Sequence, residues 1–502
     1  MSNLPTITLD TTITDLYKEA SSKNAHKRIA QIFTGVNSQL KLADGFPRNT
    51  KYVYQDTPFN DLSKDELTEE NTELQRSLAM KYLNLVPQKE AFFAGNCPVI
   101  TFNVDHSERQ VAHDKAEAEK TFESLDPGQK PRLIFFPSLE KIPVEEEGIG
   151  LFSYKVVLDG LDRYPLVIDL DTHYYLNTKA ALARSGLPTP KAKIIETEGY
   201  RPEANGCCAA CKSGDPFYTP TSCTGLRGKW ITEEMDRVLS AISHHPLPFV
   251  VKNQQTYGGA GTFVIRTGED RGHLLTKFSS GLLRKLLSQV NAENHYLRPG
   301  TTIISDLVRD PIGDYCLTFF VTDTGGFIFL AASEEMIDEN FAWTGANITF
   351  THQKALEEKF SDLIGQIAKW AHSHGYYGPV GADVLESRVD LGDGEPQTTE
   401  FNIVDLNVRT AGSLCLPLLR GHFQSRGFDC ASSFSITVKE TRMEFIEKWR
   451  SEFESGQMCI LSWYEDIGGE ASIGDVVIGA KDKERLQEEI RKVKEHSDDV
   501  TF

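Results

Sequence analysis

The segment VDLNVRTAGS, residues 404–413, alternates polar and apolar side chains. Successive side chains of a β-strand point to opposite faces, so Asp405, Asn407 and Arg409 are predicted to share one face. The apolar residues between them are predicted to face a core. A carboxylate, an amide and a guanidinium then lie along one surface, with a spacing of about 7 Å between successive groups. Taken alone, the pattern fits a solvated edge strand as well as a functional surface.

Composition places the chain among ordinary globular proteins. It has 502 residues, of which 40% are hydrophobic and 25% charged, enough for about two to four domains. The formal net charge of −19 argues against a nucleic-acid or membrane partner, and an oligomer remains compatible with it. Nine cysteines indicate a reducing compartment rather than a disulfide scaffold. With neither a secretory signal pattern nor a long apolar run, we expect a cytoplasmic enzyme or binding protein.

Hairpins alternate with single helices along most of the chain, which predicts an α+β fold. The runs PRLIFFPS (131–138) and YPLVIDLD (164–171) are predicted to be buried strands, and residues 177–185 a helix. No G-x-G-x-x-G follows an early strand, which disfavours a dinucleotide-binding domain. The expected division has four parts: an N-terminal α/β domain of unassigned role over 1–165, a small subdomain over 166–300, a large subdomain over 301–438, and a C-terminal extension over 439–502.

A lysine and a glycine-rich loop suggest a phosphate site. Lys252 ends an apolar run, and Gly258, Gly259 and Gly261 follow it. Glycines allow close backbone approach to an anion, and a lysine supplies a mobile positive charge. The order differs from a P-loop, in which the lysine follows the glycines. The alternative is a wide hairpin turn with no ligand.

Two carboxylates are predicted to meet across the hairpin that precedes the opening segment. Asp383 lies 22 positions before Asp405, on what should be the adjacent strand. Together with Asn407 they form a cluster of hard oxygen ligands suited to Mg²⁺, or to Mn²⁺ as an alternative. Arg409 is placed to contact phosphoryl oxygens. The polar face of the strand is therefore interpreted as a catalytic surface.

The order of these motifs resembles the ATP-grasp superfamily. The likeness runs from about residue 165 to 425 and combines NTKAALARSGLPTP (177–190), Lys252 with GGAGT, Asp306 to Asp314, Asp383, and D-x-N-x-R at 405–409. The first two motifs look like fungal ATP-grasp domain proteins of the carboxylate–amine ligase type. The resemblance implies two α+β subdomains that clamp ATP.

The resemblance also implies a role for each matched position. Lys179 and Lys252 correspond to the lysines that bind nucleotide phosphates, and the 258–261 loop to a lid over them. The adenine hinge is matched by Asp306, Leu307 and Val308, and the ribose-contacting acid by Asp314. Asp383, Asp405 and Asn407 stand at the Mg²⁺ positions, and Arg409 at the position that contacts phosphate and the acyl phosphate. Asp405 departs from the usual glutamate, and Asp306 from the commoner hinge glutamate.

Four cysteines lie within an inserted loop, residues 200–228. Cys207, Cys208, Cys211 and Cys223 include one C-x₂-C pair, which is compatible with a zinc site. The second C-x₂-C half is missing, and adjacent cysteines are awkward for tetrahedral coordination. The preferred interpretation is a loop of free thiols without a tightly bound metal.

The function predicted from the sequence is an ATP-dependent carboxylate–amine (or carboxylate–thiol) ligase. ATP would phosphorylate a carboxylate, and the nucleophile would then displace phosphate. Lys252 and Arg409 are the predicted catalytic residues. Two alternatives stay open: a kinase-type phosphotransferase on the same fold, and a nucleotide-binding regulator without turnover. The substrates are small molecules that the sequence does not identify.

Overall fold

The computed structural model describes residues 4–35, 45–55, 69–104, 107–201, 207–256, 261–337, 343–389, 398–465, 467 and 471–497. Their helices and strands form three sheets with packed helices. The α+β class predicted from the sequence is confirmed. No helix among the described residues is long and apolar enough to cross a membrane.

The N-terminal part is built on a parallel four-stranded sheet in the order β3-β2-β1-β4. A parallel sheet with helical crossovers is an α/β arrangement, as predicted for this part of the chain. Its elements are α1 (Ile13–Ala20), β1 (Ile29–Ile32), α2 (Glu69–Phe92), β2 (Pro98–Phe102), α3 (Glu108–Thr121), β3 (Arg132–Phe136) and β4 (Leu151–Tyr154).

The next part is built on an antiparallel sheet in the order β5-β8-β6-β7. Its elements are α4 (Leu170–Leu176), α5 (Lys179–Arg184), β5 (Ala192–Ile195), α6 (Ala209–Ser213), α7 (Leu226–His244), β6 (Phe249–Asn253), β7 (Thr262–Ile265), α8 (Gly268–Lys277), α9 (Leu283–Ser288) and β8 (Thr302–Asp306). We call this the small sheet. Helices α7, α8 and α9 cover it through a shared apolar cluster.

The third part is an antiparallel eight-stranded sheet in the order β13-β12-β9-β10-β11-β14-β16-β15, here called the large sheet. Helix α10 packs on β9 and β10 through side chains at helical spacing, among them Phe360, Ile364 and Ile367. The elements are β9 (Gly313–Val321), β10 (Phe327–Ile337), β11 (Trp343–Thr349), α10 (Gln353–Ser373), β12 (Gly378–Val389), β13 (Thr398–Asn407), α11 (Cys415–Leu418), α12 (Arg420–Gln424), β14 (Cys430–Val438), α13 (Arg442–Lys448), α14 (Arg450–Glu454), β15 (Met458–Glu465), β16 (Ser472–Ala480) and α15 (Lys483–Lys494).

Two strand predictions in the N-terminal half need correction. The run 164–171 forms no strand, because Asp169 caps α4 by accepting a hydrogen bond from the Thr172 amide at 2.9 Å. Within this run only Leu166 makes an isolated bridge, to Phe152. The run 131–138 does form β3, but β3 lies at the edge of its sheet and is partly exposed rather than buried.

The expected subdomain limits also differ from the sheets. β8 begins after residue 301 yet pairs with β5 and β6, so the large sheet starts only at β9. At the other limit, residues beyond 438 supply β15 and β16, which continue the large sheet from β14. The described strands of the segment 439–502 therefore continue the large sheet beyond residue 438.

Candidate active site

One cavity of about 520 Å³ is lined by most of the residues predicted to form the site. It lies between the small and the large sheet, and α2 contributes to its wall. The predicted residues that line it are Lys179, Lys252, Asp306, Leu307, Val308, Asp314, Asp383, Asp405, Asn407 and Arg409. These positions come from separate parts of the sequence, so their convergence is a property of the fold.

The β12–β13 hairpin sets the two aspartates opposite one another. Asp383 on β12 is in register with Asp405 on β13, as the sequence predicted. The register then shifts, so that Val384 faces Ile403 and Val404 is the extra residue of a bulge. Bulges re-aim side chains, and Val404 accordingly lines the cavity instead of joining the core. The prediction that Val404 is buried with its neighbours was wrong.

Two lysines surround Asp405. The buried Lys179 forms an ion pair with Asp405 Oδ1, which also accepts the Leu406 amide at 2.8 Å. Lys252 donates to the Val404 carbonyl. Burial opposes ionisation of Asp405, but Lys179 and Lys252 outweigh it and hold its pKa below the ordinary range. Asp405 is therefore a carboxylate already neutralised by cations.

Lys252 is a cation in an unfavourable environment. Burial and the neighbouring charge of Lys179 lower the pKa of Lys252 to about 8, while Asp405 and Asp383 act in the opposite direction. A bound anion would stabilise the charged form of this lysine. The surroundings of Lys252 therefore favour a phosphate-like ligand.

Glu335 on β10 completes an acidic group that the sequence analysis missed. Carboxylate oxygens of Glu335 and Asp383 and the Cys316 thiol lie within 4.8 Å of one another. Burial and the charge of Asp405 raise the pKa of Asp383 to about 7. Burial and the charges of Asp383 and Asp314 raise the pKa of Glu335 well above its usual value. Lys179 opposes this shift at Asp383 without outweighing it, whereas at Asp405 it forms an ion pair.

The sequence carries only part of the signal for Glu335. The turn at 323–326 folds β10 back along β9, which places Glu334 opposite Tyr315 and hence Glu335 close to Asp314. Glu335 comes to the same end of the sheet as Asp383 because β9 also pairs with β12, with Cys316 opposite Asp383. This second pairing joins strands that are separated in the chain by β10, β11 and α10, so no local pattern reveals it.

Arg409 lies just beyond the end of β13 and is oriented by its neighbours. Its guanidinium donates to Asn407 Oδ1 at 2.8 Å and to the Thr410 carbonyl at 3.3 Å. Leu406 and Val408 point into the core, as predicted. Asn407 is thus placed where expected, but its side-chain oxygen is engaged by Arg409.

Helix α4 holds this strand end from behind. His173 Nε2 lies 2.9 Å from the Val408 carbonyl, and Asn177 Oδ1 accepts the Val408 amide at 2.9 Å. Asn177 also donates to the His173 carbonyl at 2.8 Å. The backbone between Asn407 and Arg409 is therefore fixed by side chains from α4 and the residue that follows it.

Apolar side chains from both sheets also line the cavity, and we call this set of residues the apolar slot. Val250 and Ile303 line it from the small sheet, and Ile337 and Leu385 line it from the large sheet. The predicted hinge residues Asp306, Leu307 and Val308 lie where the chain leaves β8. Asp314 lies at the start of β9, and burial raises its pKa. A flat apolar group fits between such walls.

The predicted phosphate loop is only partly described. Gly258 and Gly259 lie outside the described residues. Gly261 has φ +71°, and its carbonyl accepts the Asn253 amide at 2.9 Å. A Cβ at this position would come within 2.9 Å of Asn253 Nδ2. Glycine is therefore required here by conformation and by space.

The chemistry of the donors fits a divalent cation of the Mg²⁺ type. Asp383 Oδ1 is buried and has no hydrogen-bond partner among the described residues. Glu335 stands beside it, so two carboxyl groups face each other without a neutralising group between them. Hard oxygen ligands of this kind are those that Mg²⁺ and Mn²⁺ take in proteins. The residues present thus fit such an ion, with Asp383 and Glu335 as the better available pair.

No protein-family profile and no curated protein matches the chain. Among solved structures, it is similar to N5-carboxyaminoimidazole ribonucleotide synthetase in an ADP complex, with 12% identity, 93% of this chain and 96% of that chain covered, and a TM-score of 0.47. It is similar to N5-carboxyaminoimidazole synthetase from Staphylococcus aureus complexed with ADP, with 10% identity, 93% and 96% coverage, and a TM-score of 0.46.

A third similar structure is biotin carboxylase from Campylobacter jejuni, with 12% identity, 80% of this chain and 86% of that chain covered, and a TM-score of 0.44. All three TM-scores lie below 0.5, so these similarities carry no conclusion about the role of the site.

Proposed function

We propose that this chain is an ATP-dependent ligase that joins a carboxylate to an amine through an acyl phosphate and releases ADP and phosphate. The observation that carries the proposal is the single cavity that holds two lysines, a cluster of carboxylates and an arginine next to an apolar slot. Each of these parts matches one part of ATP or one charge that develops in phosphoryl transfer.

The nucleotide would lie along the cavity with its base in the apolar slot. Val250, Ile303, Ile337 and Leu385 supply the walls for a flat base. Asp314 would accept hydrogen bonds from the ribose when ionised. Lys179 and Lys252 would bind the phosphates, since both are cations at the polar end of the same cavity.

The polar end would carry the chemistry. Asp383 and Glu335, with Asp405 and Asn407 nearby, are the residues that would hold Mg²⁺ or Mn²⁺. When bound, such an ion neutralises phosphate charge during transfer. Arg409 is held by Asn407 and Thr410, so its guanidinium is oriented before a phosphoryl group arrives. It would stabilise charge on the transferred group and on the acyl phosphate.

The acceptor would enter from the side of the cavity that α2 and β16 line. Leu85, Lys89 and Glu90 from α2, with Ile473 and Asp475 from β16, form this wall. Its charged side chains pair with one another, Lys89 with Asp475 at 3.1 Å and Glu90 with Lys155. The wall would therefore bound the space for a small-molecule substrate rather than supply the charges that bind it.

The proposal is tested by measuring phosphate release from ATP against a panel of carboxylic acids paired with amines, with mass spectrometry of the products. A ligase yields an amide together with ADP and phosphate. A phosphoester product would show a phosphotransferase, and nucleotide binding without any turnover across the panel would favour a regulator.

A matched pair of variants separates the site from general effects of lysine removal. Lys252→Ala should abolish product formation. Lys359→Ala should leave it unchanged, because Lys359 pairs with Glu386 at 2.6 Å and is not among the residues that line the cavity. Equal losses in both variants would contradict the assignment of Lys252.

A further inference from the structure

Four cysteine thiols converge in the inserted segment that precedes α7. The Cys211 and Cys223 sulfurs are 3.2 Å apart, and Cys207 and Cys223 are 3.5 Å apart. Cys208 lies 3.7 Å from Cys223 and 3.9 Å from Cys211. All four sulfurs lie within 4.8 Å of one another, although they span 17 positions of the sequence.

The spacing matches tetrahedral coordination by sulfur. Zinc–sulfur bonds of about 2.3 Å at tetrahedral angles separate neighbouring sulfurs by about 3.8 Å. The four sulfur–sulfur distances given above, 3.2–3.9 Å, lie around this value, and the remaining two pairs lie within 4.8 Å. They are far longer than a disulfide bond of about 2.05 Å, and all four cysteines are free thiols. Adjacency of Cys207 and Cys208, which counted against a metal in the sequence, does not prevent convergence.

The cysteines lie on two turns of the chain. Cys207, Cys208 and Cys211 lie at and within α6, and Cys223 lies shortly before α7.

Two glycines allow the turns to approach the sulfurs. A Cβ at Gly225 would lie 2.6 Å from the Cys207 sulfur, and a Cβ at Gly228 would lie 2.1 Å from the Cys223 carbonyl. Neither glycine has a positive φ, so the requirement is for space rather than for backbone conformation. Close packing of the two turns around the thiols thus depends on these residues.

A buried cation lies four residues after Cys223 in the chain. Arg227 is 3% exposed, and its Nε and Nη2 have no hydrogen-bond partner among the described residues. Its side chain interacts with the Tyr200 hydroxyl, which is near Cys207 and Cys211. Four thiolates on a divalent ion leave a charge of −2, of which a nearby guanidinium would offset one unit.

We propose that Cys207, Cys208, Cys211 and Cys223 bind one structural zinc ion. A site with four protein ligands is closed, which is the structural rather than the catalytic type. None of the four cysteines is among the residues that line the candidate active site. The ion would hold the inserted segment against the start of α7. A hydrogen bond of 2.8 Å from the Thr219 amide to the Ser288 carbonyl joins the same segment to α9.

The direct test measures metal in the full-length protein, purified under reducing conditions without a metal-affinity step. Elemental analysis should give about one zinc ion per chain. Cys211→Ser and Cys223→Ser should each lose most of this zinc. Cys430→Ser should keep it, because Cys430 is a buried thiol on β14, far along the chain from the cluster. Zinc retained in both cluster variants would overturn the proposal.

A second measurement uses the unaltered chain, in case the cluster variants do not fold. Zinc is removed by a chelator under reducing conditions, and the protein is loaded with Co²⁺. The visible spectrum should show the strong bands of tetrahedral cobalt with sulfur charge transfer. An octahedral spectrum would overturn the assignment, as would reduced, metal-free protein that takes up no zinc from solution.

Discussion

Two aspartates of the large sheet, Asp475 on β16 and Asp383 on β12, differ in what surrounds them. Asp475 accepts hydrogen bonds from Ser435 at 2.7 Å and Ser462 at 2.6 Å, and pairs with Lys89 at 3.1 Å. Burial opposes its ionisation, but these partners hold its pKa below the ordinary range. Burial and Asp405 instead raise the pKa of Asp383 to about 7, and its Oδ1 has no partner among the described residues.

This difference distinguishes a carboxylate that stabilises the fold from one that is available to a ligand. A buried carboxylate is tolerated when it is paired, and at Asp475 the folded chain itself supplies the partners. At Asp383 the fold instead places a second acid, Glu335, beside the first. Such an arrangement costs stability in the absence of a cation, which is typical of a site shaped for its ligand. The two aspartates should therefore respond in opposite ways to the same substitution.

The largest effect is expected for Asp383→Asn. Turnover should fall by about 1,000-fold, or about 4 kcal/mol of transition-state stabilisation, because the charge that holds the divalent ion is removed. The melting temperature of the ligand-free protein should stay the same or rise, since repulsion with Glu335 is relieved. The measurements are ATP turnover with the identified substrate and thermal melts of both proteins.

Asp405→Asn is the matched control for this prediction. It should also abolish turnover, but it leaves the buried Lys179 without its anion and should therefore lower the melting temperature. Near-normal turnover of Asp383→Asn at saturating Mg²⁺ would show that Asp383 holds no catalytic metal.

The next effect is on stability and concerns Asp475→Asn. Removing this charge leaves Lys89 without its carboxylate in a buried position, which should lower the free energy of unfolding by about 3–5 kcal/mol. The measurement is denaturant unfolding at neutral pH. Lys89→Met combined with Asp475→Asn should recover part of the loss, because the buried cation that Asp475 neutralises is removed together with it. If Asp475→Asn is as stable as Asp383→Asn, the contrast between the two aspartates fails.

Local sequence patterns predicted much of this site. The alternation at 404–409 and the facing aspartates of one hairpin follow from the two-residue period of a strand. The helix signals over 177–185 likewise located α5 to within a few residues. These features depend on neighbours in the sequence, which is why a single chain reveals them.

Other features depend on long-range pairing. Glu335 reaches Asp383 only because β9 pairs with both β10 and β12. The bulge at Val404 has no local signature that distinguishes it from a regular strand. The linear spacing of the cysteines argues against a metal site, but Gly225 and Gly228 allow the two turns that carry the thiols to pack closely. The apolar run around Asp169 predicts a strand, although Asp169 is the N-cap of α4.

A smaller effect is expected for Lys252→Ala on nucleotide binding. Loss of one charge-assisted phosphate contact should weaken ATP affinity by about 10- to 100-fold, or about 1.4–2.8 kcal/mol. The measurement is calorimetric titration of ATP in the presence of Mg²⁺, with Lys359→Ala as the control. Unchanged ATP affinity in Lys252→Ala would contradict the placement of phosphates beside this lysine.

The smallest effect concerns the support of the site by His173. Its Nε2 faces the Val408 carbonyl and must donate to it, so Nδ1 is the nitrogen that would take up a proton. Nδ1 is buried and has no hydrogen-bond partner among the described residues, and burial lowers the pKa of His173 to about 4. The unfolded chain binds this proton at about pH 6.5, so the folded chain loses stability as the pH falls from 6.5 toward 4.

We expect His173→Gln to remove this part of the pH dependence. Its amide can still donate to the Val408 carbonyl, and it does not titrate. Between pH 7 and pH 5 the unaltered protein should lose about 2 kcal/mol more unfolding free energy than the variant, measured by denaturant unfolding at both values. His422 has a similarly lowered pKa of about 4 and remains in both proteins, so its contribution cancels. An equal loss in the two proteins would mean that protonation of His173 does not contribute to the loss of unfolding free energy in acid.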